Sequence, residues 1–404
     1  MRIILAHNLY TITGGAEVFY HEIGRVLSEN GHDVAYFSCA EEGLDVPYSE
    51  YFPESKNYQD GSLLKKAAGF AGNVYNRKAK AEMARLIQDF KPDIIHAFAI
   101  YVRLTPSILE AAKEAGIPVV LSCNDYKHIC PNYKLFHSGK ICEDCKGGKF
   151  RAALANKCCH NSTIKSAASM IEAYAHNSMD IWRKNVDCFL FASEFMAKKT
   201  QEFWGAETFN YDMLRNPFDG KANRLDGEVG DYFLYFGRLI SEKGVDILVK
   251  AAQQRPDIPV VIVGDGPDNE KITRAAAKLD NLEFVGPKWG EDLHEYLKNA
   301  RAVVVPSLWH ENFPYVIFQA FAAGKPVIGT NRGGIPELVE DKVRGWIYDA
   351  VDANALAQLM ENVAAMPEKQ IADIGAINQS YVDVEFNDAA IYTRLSEIYA
   401  GVLK

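Results

Sequence analysis

The sequence predicts an α/β protein built from two doubly wound domains, each with a parallel sheet covered by helices. Ten short apolar runs recur along the chain, and segments with helical periodicity separate them. The 404 residues are also too many for one compact core. Because the strand–helix alternation occurs twice, we expect two Rossmann-like domains that face each other across a central cleft.

The ten apolar runs are the predicted strands. They cover residues 3–5, 34–37, 94–97, 119–121 and 189–191 in the first half, and 233–236, 260–263, 282–285, 302–305 and 327–328 in the second. Runs this short and this apolar are typical of parallel strands buried on both faces. Helical periodicity is clearest over 16–27 and 245–254, and a last helix is predicted around 388–402.

The domain boundary is predicted near 216–220, where Pro217 and Gly220 interrupt the pattern and a polar stretch follows. We therefore expect a first domain over 1–216, with an insertion at about 127–165, and a second domain over 217–384. The remaining segment, 385–404, forms a helix that can pack back on the first domain.

Composition narrows the function classes. An apolar content of 48% with 24% charged residues is typical of a folded soluble protein, and a net charge of −9 argues against nucleic-acid binding. No run of about 20 apolar residues suggests a membrane span. The start of the chain indicates a strand rather than a signal peptide. We expect a cytoplasmic protein, with contact at the inner face of the membrane left open.

Ligands of open α/β sheets bind beyond the carboxyl ends of the strands. Gly14 and Gly15 follow the first strand and open a helix, where backbone N–H groups favour anions such as a diphosphate. A tight turn without a ligand explains the pair equally well. The spacing is not G-x-G-x-x-G, which disfavours a dinucleotide-dependent oxidoreductase.

Two cations follow the first strand of the second half. Gly237 and Arg238 end that strand, and Lys243 precedes the next helix. Converging positive charges at this place can neutralise a leaving diphosphate, whereas either one alone is equally consistent with a solvated surface charge.

The most specific stretch is the loop 306–314, which lies between a strand and a helix and carries Glu311. A carboxylate beside a helix N-terminus can accept hydrogen bonds from sugar hydroxyls, and the N-terminus itself favours phosphates.

Together these motifs resemble the retaining glycosyltransferase family 4, which has the GT-B fold. The element G-R-x4-K-G matches 237–244, the first position of E-x7-E matches Glu311, and G-G-x-P-E matches 333–337. Gly14–Gly15 and the Asn216–Pro217 linker also fit, so the resemblance covers nearly the whole chain.

The resemblance implies a retaining hexosyl- or N-acetylhexosaminyl-type transferase that uses a UDP- or GDP-linked donor and needs no metal for catalysis. The acceptor would be a saccharide or a lipid-linked saccharide, in cell-surface polysaccharide assembly. The implied catalytic positions are Glu311, Arg238, Lys243 and Asp125, and the implied donor-binding positions are Gly14, Gly15, Gly237, Asn312, Phe313, Pro314 and Gln319.

Two positions depart from the family pattern. The second Glu of E-x7-E, which in the family holds the ribose hydroxyls, is Gln319, so we expect weaker nucleotide binding. The His-Asp pair near the donor sugar is replaced by Asn124 and Asp125. Asp125 keeps its place, where a sugar contact and a turn cap are equally consistent readings. His96, after another buried strand, is interpreted as a structural histidine.

Five of the eight cysteines lie between 130 and 159. Cys130, Cys142, Cys145 and Cys158, with Cys159 as the alternate, have a spacing that a structural zinc site can use. A set of reduced thiols without metal is the alternative. The same segment carries eight lysines and arginines against two acidic residues, which indicates either a solvated loop or a surface that meets an anionic acceptor.

Two further functions stay open at this point. A nucleotide-sugar epimerase shares the fold and would convert the donor without an acceptor. A catalytically inactive sugar-nucleotide-binding subunit is suggested by Asn124 and Gln319.

Overall fold

The protein is described by a computed structural model that covers residues 1–54 and 71–404. It divides into two compact units. The first comprises Met1–Leu135, Glu143–Pro217 and Ile391–Lys404, and the second comprises Phe136–Cys142 and Phe218–Ala390. Within the described ranges, no helix combines the length and the apolar character that crossing a membrane requires.

The first unit contains a six-stranded parallel sheet in the order β2-β1-β3-β4-β7-β8. Its strands are β1 (Arg2–Ala6), β2 (Asp33–Phe37), β3 (Ile94–Ala97), β4 (Val119–Cys123), β7 (Cys188–Phe191) and β8 (Tyr211–Met213). Its helices are α1 (Gly15–Glu29), α2 (Arg77–Phe90), α3 (Ser107–Glu114), α4 (Arg151–Ala155), α5 (Thr163–Met179), α6 (Glu194–Trp204) and most of α14 (Asp388–Val402). A short hairpin, β5 (Phe136–His137) and β6 (Lys140–Ile141), interrupts the insertion.

The second unit has a six-stranded parallel sheet of its own, in the order β11-β10-β9-β12-β13-β14. Its strands are β9 (Phe233–Arg238), β10 (Val260–Asp265), β11 (Leu282–Gly286), β12 (Ala302–Val305), β13 (Val327–Thr330) and β14 (Gly345–Tyr348). Its helices are α7 (Val245–Gln254), α8 (Asn269–Ala276), α9 (Gly290–Lys298), α10 (Tyr315–Ala322), α11 (Ile335–Val339), α12 (Ala353–Ala364) and α13 (Glu368–Glu385).

The predicted fold class is confirmed: both sheets are parallel, and all ten predicted strands are present. Apolar residues fill both faces of each sheet, so strands such as β3 and β12 are buried throughout. The sequence prediction missed β8 and β14, the strands at two sheet edges, because they are short and mix polar residues or glycine with apolar ones. It also missed the two-residue strands of the hairpin.

His96 is a structural residue at the centre of the first sheet. Its ring is fully buried, with Nδ1 at 2.7 Å from the Tyr399 hydroxyl and Nε2 at 2.8 Å from the Ser122 hydroxyl. Burial lowers the pKa of His96 to about 3, so the ring is neutral. Tyr399 lies on α14, and the contact fixes that helix against the first unit.

Candidate donor site at the carboxyl end of the second sheet

The loop after β12 carries Glu311 and is held against the turn that precedes α7. The backbone N–H of Leu308 donates to the carbonyl of Glu242 at 2.9 Å. This contact brings the two segments together, and Lys243 Nζ lies 2.6 Å from Glu311 Oε1. Two motifs separated by 68 residues therefore form one ion pair at the carboxyl end of the sheet.

Gly244 makes this approach sterically feasible. Its φ is +68°, and a Cβ built at this position would lie 2.0 Å from the carbonyl oxygen of Pro306. Any side chain would push the loop after β12 away from Lys243. The K-G pair of the sequence motif thus consists of a charged residue and the glycine that lets it reach its partner.

The G-G-I-P-E turn supports Glu311 from the other side. Gly333 has a φ of +60°, and a Cβ there would lie 1.9 Å from the carbonyl oxygen of Glu311. The N–H of Gly334 donates to that same carbonyl at 2.8 Å. The backbone of Glu311 is therefore fixed by a turn that only glycine permits at this distance.

Glu311 is ionised although it is only 4% exposed. Burial alone would raise the pKa of its carboxyl group. The positive charge of Lys243 and hydrogen bonds from Lys243, Ser307 and Trp309 outweigh burial and hold that pKa below its ordinary value. The Ser307 hydroxyl donates to Glu311 Oε1 at 2.6 Å. The sequence analysis missed Ser307, because a serine after a strand carries no signal of its own.

Arg238 is the last residue of β9 and is exposed. Its guanidinium makes no hydrogen bond or ion pair with any residue in the ranges 1–54 and 71–404. Its backbone is fixed, since the Tyr235 hydroxyl donates to the Arg238 carbonyl at 2.7 Å. Gly237, with a φ of +145°, precedes it. The arrangement presents an uncompensated cation on a rigid strand end.

The remaining donor-site candidates of the second unit differ in exposure. Phe313 is buried and packs against Phe318 and Phe386, so only its backbone can meet a ligand. Pro314 caps α10 with extended backbone, and Asn312 and Gln319 are half-buried on either side of it. The resemblance assigns backbone contacts to 312–314, which agrees with an inward-facing Phe313 side chain.

In the first unit, Asp125 follows β4 and caps a turn through a 2.8 Å hydrogen bond from the N–H of Lys127. Loss of hydration raises the pKa of Asp125 to about 6, against the opposing effects of that hydrogen bond, the Tyr101 hydroxyl and the Lys127 charge. Asn124 beside it has a buried Nδ2 without a hydrogen-bond partner in the described ranges. Tyr101 is a second contact that the sequence analysis did not identify.

Gly14 and Gly15 are exposed at the start of α1. Gly14 has extended backbone that any residue can adopt, and a Cβ there would meet only Glu17 at 3.4 Å. The helix start therefore offers open N–H groups and no charged ligand group of its own. Glu17 lies 3.8 Å from the buried His7, a contact that fixes the first turn of α1.

The structure does not assemble the predicted zinc ligands. All eight cysteines lie in the described ranges and are thiols. Across those ranges no three His, Cys, Asp or Glu side chains form a group that could hold a metal ion. Cys158 and Cys159 are neighbours, with their Sγ atoms 3.9 Å apart, and Cys130 Sγ donates to Asn132 Oδ1 at 3.0 Å. The four predicted ligands thus have other contacts here, and metal analysis is the test of the zinc prediction.

The fold and this site define a class: a GT-B protein with a Lys–Glu pair and an open Arg at the carboxyl end of its second sheet. The family model described as Glycosyltransferase Family 4 matches residues 13–219, and the one described as Glycosyl transferases group 1 matches residues 222–375. The chain therefore belongs to glycosyltransferase family 4.

Relatives and solved structures agree with this assignment. The chain is 27% identical over 399 residues to an uncharacterized 42.6 kDa protein in the cps region of Klebsiella pneumoniae, covering 95% of this chain and 99% of that one. It is 33% identical over 185 residues to the lipopolysaccharide 1,2-N-acetylglucosaminetransferase of Salmonella typhimurium, covering 42% of this chain and 48% of that one.

Solved structures show the same fold over almost the full length. The Anabaena protein HepE in complex with UDP has a TM-score of 0.68 at 17% identity, with 99% of this chain and 100% of that chain covered. The sucrose-phosphate synthase of Thermosynechococcus elongatus has a TM-score of 0.70 at 18% identity, with 99% and 98% covered.

Proposed function

We propose that the protein transfers a sugar from a UDP-linked donor to a saccharide or lipid-linked acceptor, with retention of configuration, in surface polysaccharide assembly. The observation that carries the proposal is the arrangement of Arg238, Lys243 and Glu311 at one sheet edge. Two cations face the position where a diphosphate would leave, and an ionised carboxylate is available to sugar hydroxyls.

UDP is favoured over GDP because HepE binds UDP and UDP-glucose in its crystals. The polysaccharide context comes from relatives, which include a colanic acid biosynthesis glycosyltransferase described as putative in Escherichia coli. Retention rests on the resemblance to the family.

In the proposed reaction, the bond between the anomeric carbon and the donor diphosphate breaks through an oxocarbenium-like state. Arg238 and Lys243 stabilise the negative charge that develops on the leaving UDP. The acceptor oxygen bonds to the anomeric carbon on the same face, and its proton passes to a phosphate oxygen of the departing nucleotide. Glu311 holds the sugar by its hydroxyl groups.

The test combines two variants with matched controls. Arg238→Ala and Glu311→Gln should each lower the rate of transfer, or of slow donor hydrolysis, by about 10²–10³-fold. Arg274→Ala removes an exposed arginine of α8, and Glu361→Gln neutralises an exposed carboxylate of α12; both should retain the wild-type rate. Wild-type rates in Arg238→Ala and Glu311→Gln would contradict the proposal.

Incubation of the donor alone separates the other functions. An epimerase would produce the epimeric nucleotide sugar without an acceptor. An inactive binding subunit would bind UDP or GDP and show neither transfer nor hydrolysis. A panel of UDP- and GDP-sugars, followed by nucleotide release, distinguishes these outcomes from transfer.

A lipid-linked acceptor is supported by one face of α5. Ile164, Ile171 and Tyr174 are exposed and spaced seven and three residues apart, so they share a helix face. Lys165 lies beside them, and the preceding insertion is basic. Apolar side chains flanked by cations fit an anionic lipid surface.

Sedimentation with vesicles containing phosphatidylglycerol tests this acceptor surface. The double substitution Ile164→Asn and Ile171→Asn should weaken binding at least tenfold. Ile377→Asn, which changes an equally exposed isoleucine of α13, should leave it unchanged. Equal binding by all three proteins would exclude the α5 face.

A further inference from the structure

Ser307 stands out among the residues around Glu311 because it is 1% exposed and makes its hydrogen bond within one loop. Its hydroxyl donates to Glu311 Oε1 at 2.6 Å. Its own carbonyl accepts a hydrogen bond from the Thr330 hydroxyl at 2.9 Å. Thr330 ends β13, so Ser307 is fixed to the neighbouring strand of the sheet.

Lys243 is a different kind of partner for Glu311. Its Nζ also lies 2.6 Å from Oε1, so both donors meet the same carboxylate oxygen. The lysine has a flexible side chain that is 19% exposed and lies 5.7 Å from the centre of the Trp309 ring. Serine has one side-chain torsion and is anchored through its backbone. One donor is mobile and the other is fixed.

The proposed function requires the mobile donor to move. If Lys243 neutralises the donor diphosphate, its ammonium turns from the Glu311 carboxylate toward the phosphates. A buried carboxylate that loses a charged partner becomes costly to keep ionised unless another donor remains. Ser307 is the donor that remains.

The geometry points to Ser307 as a positioning residue that keeps the Glu311 carboxylate ionised and aimed at the transferred sugar while Lys243 engages the diphosphate. This inference rests on the proposed function. Ser307 does not meet the substrate, and its effect passes through Glu311. Its removal should therefore affect the sugar contact while leaving the grip on the nucleotide intact.

The experiment compares UDP with UDP-sugars in Ser307→Ala. Affinity for UDP alone, measured by calorimetry, should stay within twofold of wild type. With the best substrate among UDP-glucose, UDP-galactose and UDP-N-acetylglucosamine, kcat for nucleotide release should fall about 10–100-fold while KM changes less than threefold. Ser307→Thr keeps the hydroxyl and should recover most of kcat.

Several outcomes would overturn the inference. A kcat within twofold of wild type in Ser307→Ala would show that the hydroxyl is dispensable. A parallel loss of UDP affinity, kcat and melting temperature, without recovery in Ser307→Thr, would indicate a purely structural role. If the wild type neither binds UDP nor releases it from any of the three sugars, the proposed function fails first and the inference fails with it. Normal wild-type turnover with an unaffected Ser307→Ala defeats the inference alone.

Discussion

Glu311 in the second unit and Asp125 in the first follow buried strands, yet their environments shift their pKa values in opposite directions. Glu311 is the more deeply buried, but Lys243 and Ser307 keep its pKa low. Asp125 has a backbone N–H and a tyrosine hydroxyl as partners, and loss of hydration raises its pKa to about 6. The difference teaches that partners, rather than depth, decide the charge of a buried carboxylate.

The two environments suit different tasks. A carboxylate that stays ionised binds hydroxyl groups at constant strength. A carboxyl with a pKa near neutrality can exchange a proton, which makes Asp125 the better candidate for acid–base work if the first unit takes part in the chemistry. Four substitutions break or sharpen this comparison.

The largest effect is expected from Lys243→Met. Glu311 would keep its buried position but lose its charged partner, at a cost of about 3 kcal/mol in the free energy of unfolding. Because burial would then act unopposed and raise the pKa of Glu311, the loss should be greater at pH 8 than at pH 5. Urea unfolding at both pH values measures it.

The double variant Lys243→Met with Glu311→Gln is the control for that prediction. It removes both charges and should recover most of the stability at pH 8. A loss of stability that does not depend on pH, and that persists in the double variant, would show that the lysine stem and not its charge holds the site.

The next largest effect concerns the buried histidine of the first unit. Tyr399→Phe leaves Nδ1 of His96 without a partner in a fully buried site and should cost about 2 kcal/mol. Tyr392→Phe on the same helix is the matched control, since its hydroxyl meets the partly exposed His32 at 3.1 Å. Thermal unfolding compares them, and neither change should alter donor turnover. Equal melting temperatures would refute a structural role for the His96–Tyr399 bond.

Asp125→Asn should raise stability. The folded-state pKa of Asp125 lies above its ordinary value of 3.8, so deprotonation costs folding free energy as the pH rises through about 6. The neutral amide avoids that cost. We expect a gain of about 1–2 kcal/mol at pH 8, discounted for partial exposure, and none at pH 4. A melting temperature below that of the wild type at pH 8 would contradict the raised pKa.

The smallest effect is expected at Gln319, where the family pattern has a carboxylate. Gln319→Glu would strengthen hydrogen bonds to ribose hydroxyls by about 1 kcal/mol, which is roughly a fivefold gain in UDP affinity. Gln358→Glu adds the same charge on α12 and should leave affinity unchanged. Weaker UDP binding in Gln319→Glu would place the nucleotide elsewhere.

Much of this organisation could be predicted from the sequence. Strand–helix alternation predicted both parallel sheets, since apolar runs of this length can be buried on two faces only in such a layered arrangement. The G-R-x4-K-G element and Glu311 identified the ends of β9 and β12 as the places for charged side chains. The edge strands β8 and β14 were missed because weak local patterns became strands only through pairing with a neighbour.

By itself the sequence determined the fold class, the family and which residues carry charge, because these follow from periodicity and spacing along the chain. Only the tertiary structure decided which residues meet. It placed Ser307 and Lys243 on the same oxygen of Glu311, and joined His96 to Tyr399 across 303 residues. It also gave the cysteines other contacts than a common metal site. The physical reason is that pKa values and hydrogen bonds depend on distances of a few ångströms, which only the packing of the strands and loops sets.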